Sequence, residues 1–149
     1  MKKIKYHPES CVACFTCEVA CKQEHNLPVN THWIKIFRHP VYEKDGRLIR
    51  DYSAMQCQHC DDPQCMAACP EDAIYKGFDE SVLIREELCS GCGSCIDACP
   101  FDAMGFDDDR QLAAKCTQCV HLLEKGAPPA CVKHCPTSAL QMAIYDEKE

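Results

Sequence analysis

Sixteen cysteines are the residues of this chain best suited to chemistry, and they fall into four groups of four with none left over. The first group, Cys11, Cys14, Cys17 and Cys21, is spaced C-x2-C-x2-C-x3-C. The second, Cys57, Cys60, Cys65 and Cys69, is spaced C-x2-C-x4-C-x3-C. The third, Cys89, Cys92, Cys95 and Cys99, repeats the first, and the fourth, Cys116, Cys119, Cys131 and Cys135, is spaced C-x2-C-x11-C-x3-C. The opening residues Met1-Lys2-Lys3-Ile4-Lys5-Tyr6-His7-Pro8 lack the apolar segment of a secretory signal and a twin-arginine pair. Disulfides are therefore not expected, since the cytosol keeps thiols reduced, and the short regular spacing reads as metal ligation.

The metal chemistry follows from the geometry of the loops. Three thiolates from one tight loop can reach three irons on one face of a 4Fe–4S cubane, and the first and third groups carry that spacing. Two residues between cysteines let the backbone curl round the cluster, so that its amides offset the cluster's negative charge. The fourth cysteine lies one helical turn further on and points toward a neighbouring cluster. Pro70, Pro100 and Pro136 follow Cys69, Cys99 and Cys135, and each is followed by a shared pattern ending in Ala73-Ile74, Ala103-Met104 and Ala139-Leu140. That repeat reads as loop, short helix, turn and strand over a cluster. Lys22 after Cys21 breaks it. Four zinc ions held by C-x2-C knuckles are the competing use of 16 thiolates, but zinc has no need of a third cysteine three residues on, nor of a following proline.

The elements that position these loops are short. Strands are expected at residues 4–6, 74–76, 82–85 and 140–145, with a turn over 77–81. Residues 41–44 and 47–52 flank Asp45-Gly46, a strong hairpin signal, and residues 33–37 alternate like a half-buried strand. This insert of about 35 residues is outside the cluster machinery and covers a lobe or meets a partner. Without its cysteines the apolar share falls from 46% to about 36%, too little for a loop-built chain to stand without bound metal.

Several functions are excluded. No apolar run is long enough to cross a membrane, and a net charge of −7 with scattered arginines argues against nucleic acid. No triad, phosphate loop or catalytic carboxylate pair stands out, so no catalytic residue is assigned. His59, between two ligands, is read as a neighbour of the site rather than a ligand, and His7, His25, His32, His39, His121 and His134 show no metal-site spacing. Trp33 reads as a core or interface aromatic, and Asp107-Asp108-Asp109 as a solvated loop.

Cys17-Glu18-Val19-Ala20-Cys21-Lys22 leading to Asn26-Leu27-Pro28, Gln56-Cys57-Gln58-His59-Cys60, Cys116-Thr117-Gln118-Cys119-Val120-His121 and Pro128-Pro129-Ala130-Cys131 together resemble one family. The chain is similar to the four-cluster iron–sulfur subunits of dimethyl sulfoxide reductase and formate dehydrogenase type. Such subunits also occur with tungsten aldehyde oxidoreductases, hydrogenases and carbon monoxide dehydrogenases. Lys22 agrees with this family, and the chain is short for it.

The resemblance implies an α+β fold of two nested bacterial-ferredoxin-like lobes, each holding two 4Fe–4S clusters, with a β-hairpin insert. The outer lobe would be residues 1–30 with 104–149, the insert 31–54 and the inner lobe 55–103, and the first and last strands would pair. It also implies four ligand sets: Cys11, Cys14, Cys17 and Cys135; Cys21, Cys116, Cys119 and Cys131; Cys57, Cys60, Cys65 and Cys99; and Cys69, Cys89, Cys92 and Cys95. Spacing alone leaves open an in-order pairing, first group with second and third with fourth.

The implied function is single-electron relay through four 4Fe–4S clusters. The chain would link a large catalytic subunit, a molybdenum, tungsten or other metal oxidoreductase, to an external donor or acceptor, with room for a further electron-accepting subunit. It would itself be non-catalytic. A free polyferredoxin carrier and a zinc adaptor are the other classes. The cytoplasm is the expected compartment, unless a signal-bearing partner exports the pair.

Overall fold

The computed structural model describes residues 2–144. It is an α+β chain built from four separate two-stranded antiparallel sheets joined by cysteine loops and short helices. In chain order the strands are β1 (Lys2–Tyr6), β2 (Ile34–Lys44), β3 (Arg47–Gln56), β4 (Ile74–Lys76), β5 (Val82–Ile84), β6 (Met104–Asp107), β7 (Leu112–Lys115) and β8 (Leu140–Ile144). The helices are α1 (Thr16–His25), α2 (Gln64–Ala67), α3 (Ser94–Asp97), α4 (Val120–Leu123) and α5 (Ala130–Lys133). No described helix is long and apolar enough to cross a membrane.

The two ends of the described chain meet. β1 pairs with β8, placing Ile4 opposite Met142 and Tyr6 opposite Leu140. Residue 145 of the expected final strand lies outside the described residues. β4 pairs with β5 across the turn expected there. β6 and β7 form a hairpin that the sequence reading missed, with Phe106 opposite Ala113. That hairpin corrects the solvated-loop reading at Asp107, which is buried. Its carboxylate accepts N–H bonds from Asp109 at 3.1 Å and Arg110 at 3.0 Å, and the Arg110 guanidinium donates at 2.8 Å. Asp107 therefore closes the turn from within.

Residues 33–37 and 41–44, read as separate strands, run together from Ile34 onward as β2. The ladder shifts register between Arg38 and Val41, where Pro40 offers no N–H, so the strand bulges instead of ending. β2 and β3 make a long arm joined at Asp45-Gly46, both in the left-handed conformation that such a tight turn requires. Only its root is packed. Trp33, Ile34, Ile36 and Gln56 are buried, whereas across residues 37–51 every residue except Ile49 is exposed.

Sulfur forms part of the core itself. Cys17, Cys21 and Cys131 pack with Trp33, Ile34, Ile36 and Leu140 in one cluster, and Cys95 packs with Ile74, Val82, Met104 and Ala113 in another. Ala73, Ala103 and Ala139, at equal offset after the three Cys-Pro pairs, are all buried, because a larger side chain there would push the strand off the loop beneath it.

The arm predicts a sharp contrast in stability. Ile34→Ala removes a buried side chain at the root and should cost about 3 kcal/mol, while Leu48→Ala on the exposed shaft should stay within about 0.5 kcal/mol. Urea unfolding of the metal-loaded chain measures both.

Candidate metal centres

Each cysteine group opens on the same backbone device. Ala13, His59, Gly91 and Gln118 all stand two residues after the first cysteine of their group, and all have positive φ. This left-handed residue turns the backbone inward. As a result the amides of Ala13, His59 and Gln118 donate to the sulfur of Cys11, Cys57 and Cys116 at 3.4, 3.4 and 3.3 Å. The closing residues repeat too: Asp72, Asp102 and Ser138 have positive φ, and their amides bond the carbonyls of Cys69, Cys99 and Cys135.

The third cysteine of each group sits on a helix, as Cys17 on α1, Cys65 on α2, Cys95 on α3 and Cys131 on α5. In the last three cases the helix is a single turn that ends before the fourth cysteine. In the first group α1 continues through Cys21 to His25 and stops at Asn26, whose φ of 50° closes the helix end. Lys22 is therefore a helix-interior residue where proline would clash. Its ammonium also caps the following loop, donating to the carbonyls of Pro28, Val29 and Thr31 at 3.0, 2.8 and 2.7 Å.

The cysteines gather round recesses lined by sulfur and apolar side chains. Cys11, Cys14, Cys17 and Cys135 line one. Cys57, Cys60, Cys65 and Cys99 line a second. Cys69, Cys89, Cys92 and Cys95 line a third. The other four also adjoin. Burial raises the thiols of Cys21 and Cys131 far above their usual range, and the next largest causes in both are the neighbouring Cys116 and Cys119. Burial likewise pushes Cys116 up to about 11 and raises Cys119.

Neighbouring sets adjoin in a definite order. Cys17 packs in one core with Cys21 and Cys131, Cys65 packs against the core that holds Cys95, and Cys57 lies near enough to Cys116 to raise its thiol. The two exposed cysteines, Cys14 and Cys92, belong to the two outermost sets, while Cys21, Cys119 and Cys131 are buried.

The donor set fits an iron–sulfur cluster. Four soft thiol ligands ring each of three recesses, and among the described residues no three His, Cys, Asp or Glu side chains are arranged to hold a single metal ion. Buried donors also stand ready beside the ligands. His59 accepts the Val82 amide at Nδ1 at 3.0 Å, so its proton lies on Nε2, which is buried with no partner among the described residues. The Thr117 hydroxyl, next to Cys116, is likewise buried and unpartnered. Acceptor sulfurs of a bound cluster suit both.

Some contacts were not visible in the sequence. His25 Nε2 lies 3.2 Å from the sulfur of Cys119, and its ring packs against Trp33 and His121. Gln56 and Gln118, read only as part of the resemblance, donate to the backbone of β1 at Ile4 and Lys2, tying the second and fourth groups to the first strand. Glu18 accepts the Ile36 amide at 2.7 Å and fixes the root of the arm on α1. A glutamine immediately before a cysteine, repeated at Gln56 and Gln118, was the one available signal.

Residues 49–144 match the family of 4Fe–4S dicluster domains. Among curated relatives, the chain is 35% identical to the B component of the anaerobic dimethyl sulfoxide reductase of Haemophilus influenzae, over 95% of this chain and 73% of that protein. It is 35% identical to the B component of the polysulfide reductase of Wolinella succinogenes, over 90% of this chain and 72% of that one. Against the B component of the tetrathionate reductase of Salmonella typhimurium it is 35% identical over 84% of this chain but half of that protein. The chain belongs to the 4Fe–4S dicluster family, within the iron–sulfur subunit type of these reductases.

Two glycines in the third group separate backbone freedom from space. A Cβ on Gly91 would lie 2.3 Å from the Gln111 carbonyl oxygen, whereas one on Gly93 meets nothing within 4 Å, and both have positive φ. Gly93→Ala should cost about 1 kcal/mol. Gly91→Ala should forfeit the cluster held by this loop, read as a drop in iron and acid-labile sulfide per chain.

Proposed function

We propose that this member of the 4Fe–4S dicluster family is a non-catalytic electron-transfer subunit that relays single electrons through four 4Fe–4S clusters. Its partner would be a large catalytic molybdenum or tungsten oxidoreductase subunit, and its other end would meet an external donor or acceptor, such as a further electron-accepting subunit. The observation that carries this reading is the adjacency in series of four sets of four cysteines, with one exposed cysteine at each end. The reductase components it resembles supply the class of partner.

The ligand sets follow the recesses. The first cluster takes Cys11, Cys14, Cys17 and Cys135, and the second takes Cys21, Cys116, Cys119 and Cys131. The third takes Cys57, Cys60, Cys65 and Cys99, and the fourth takes Cys69, Cys89, Cys92 and Cys95. Three of these sets each line one recess, which joins three cysteines of one group to one of its nested partner and favours this assignment over in-order pairing. Pairing of β1 with β8 supports an outer ferredoxin-like lobe of residues 1–30 and 104–149 around an inner lobe of 55–103, with 31–54 as the insert. Thiols that ring a recess, rather than meeting at a point, favour a polynuclear group over zinc.

Bound cubanes would supply one-electron redox chemistry; the protein sets the energetics. Backbone amides at Cys11, Cys57 and Cys116 donate to ligand sulfur and favour the more negative, reduced state. At Cys135, burial would raise the thiol's pKa, but the amides of Leu140, Thr137 and Ala139 hold it below the usual range. Sixteen free thiols suit a reducing compartment, so we place the chain in the cytoplasm or in export with a signal-bearing partner.

The anaerobically isolated chain should be brown, bleach with dithionite, and hold about 16 iron atoms, four for each of four cubanes. Cys14→Ser and Cys135→Ser should perturb one and the same paramagnetic signal of the reduced protein. If Cys135→Ser instead perturbs the signal altered by Cys92→Ser, the nested assignment fails. Chelation of the iron should abolish cooperative unfolding, because metal-binding energy is folding energy in such a chain.

A further inference from the structure

Lys115 is the most deeply buried charged side chain among the described residues, 3% exposed at the end of β7. Its ammonium donates to the carbonyl of Val82 in β5 and, at 2.9 Å, to the carbonyl of Cys116. Among the described residues no carboxylate lies within ion-pair distance of it. A buried cation without a counter-charge is strongly unfavourable, and two neutral carbonyls do not neutralise it.

The missing negative charge has a definite place. Lys115 adjoins Cys116, assigned above to the second cluster, and it is the main charge opposing the effect of burial at Cys65, assigned to the third. The same bond network orders this junction. The Val82 carbonyl takes the Lys115 bond, while the Val82 amide donates to His59 at 3.0 Å, between the third set's Cys57 and Cys60. The cation therefore stands where the second and third sets meet, in the middle of the series. The first and fourth sets have no comparable buried cation among the described residues.

Resting on the ligand assignment proposed above, we infer that Lys115 is a fixed counter-charge shared by the two middle clusters, which raises their reduction potentials relative to the two end clusters. The physical reason is that an added electron is stabilised by a nearby positive charge that water cannot screen. No bond forms or breaks at Lys115. The side chain changes only the free energy of the electron on either side of it, and it acts on both middle sites together because it belongs to neither ligand set.

The test is a redox titration of the full, cluster-loaded chain followed by electron paramagnetic resonance, with Lys115→Gln and Lys115→Arg beside the wild type. Signals altered in Cys131→Ser and Cys60→Ser mark the two middle clusters. In Lys115→Gln the midpoints of those two should move to more negative values while the end pair stays put, and Lys115→Arg should keep all four near the wild type. If all four midpoints in Lys115→Gln match the wild type, or all four move equally, the inference is overturned. If Lys115→Gln assembles fewer than four clusters but Lys115→Arg assembles four, the position demands charge, as inferred. If both fail, it demands the shape of lysine, and the inference falls. A wild type with fewer than four clusters defeats the functional reading instead, and this inference with it.

Discussion

A thiolate inside a protein needs a cation, and much of this interior is sulfur. Cys17, Cys21, Cys95 and Cys131 are buried beside Trp33, Ile34, Ile74 and Val82, and Cys119 beside Ala20 and Ala130, in positions an ordinary domain would fill with leucine or isoleucine. Burial disfavours the charged form, which is why Cys17 is pushed up to about 12 and Cys95 to about 11. Iron reverses that balance by binding the thiolate, so the fold and the metal are one equilibrium. The regular elements could not persist alone. Three helices next to ligands, α2, α3 and α5, are four residues long, far below the length at which a helix holds itself in water. β4 and β5 are three residues each, and isolated hairpins are marginal even when longer.

Repetition and asymmetry divide the work. The left-handed residue two places after the first cysteine recurs as Ala13, His59, Gly91 and Gln118, so the inward turn is common to all four loops. What differs is the side chain borne there. Ala13 adds nothing beyond its amide, His59 reaches Val82, Gln118 reaches the backbone of Lys2, and Gly91 lets the Gln111 carbonyl approach. One backbone device thus serves four sites, while the residue carrying it wires each loop to a different part of the molecule. The outer strand β1 is held this way by Gln118 and, through Ile4, by Gln56.

The sequence marked the candidate ligands because metal coordination restricts residue type and spacing together. It showed the arm because Asp45-Gly46 names its own turn, and β4 with β5 because apolar residues flank a short polar turn. It did not show β6 and β7. Their turn is closed by Asp107 and by Gln111 at positive φ, with no glycine or asparagine at the left-handed position, so it reads as a solvated acidic run. Lys22 looked like a broken repeat because the reading could not see that α1 continues past Cys21. Which groups lie together was equally hidden, since nested and in-order pairing use the same spacings; the recesses bring Cys135 to the first group and Cys99 to the second. Lys115 was passed over because a lone lysine beside a cysteine carries no mark of burial; only the carbonyls that receive it reveal where it lies.

Exposure along the series gives the last step. An electron relay needs access at its ends and insulation between them, and those are opposite demands on one small chain. Cys14 and Cys92 answer the first, each exposed on an outermost set. Cys21 and Cys131, proposed ligands of the second cluster, answer the other, since both are buried with the arm's root, Trp33, Ile34 and Ile36, in one core. The arm itself leaves that core at once and is exposed from residue 37 outward. Its root therefore covers buried sulfur, and its shaft contributes almost nothing to that core. The first part is bound to the sulfur-lined core, and the second stands clear of it. That division accounts for a hairpin whose turn is encoded so plainly, although so little of the chain's own interior depends on it.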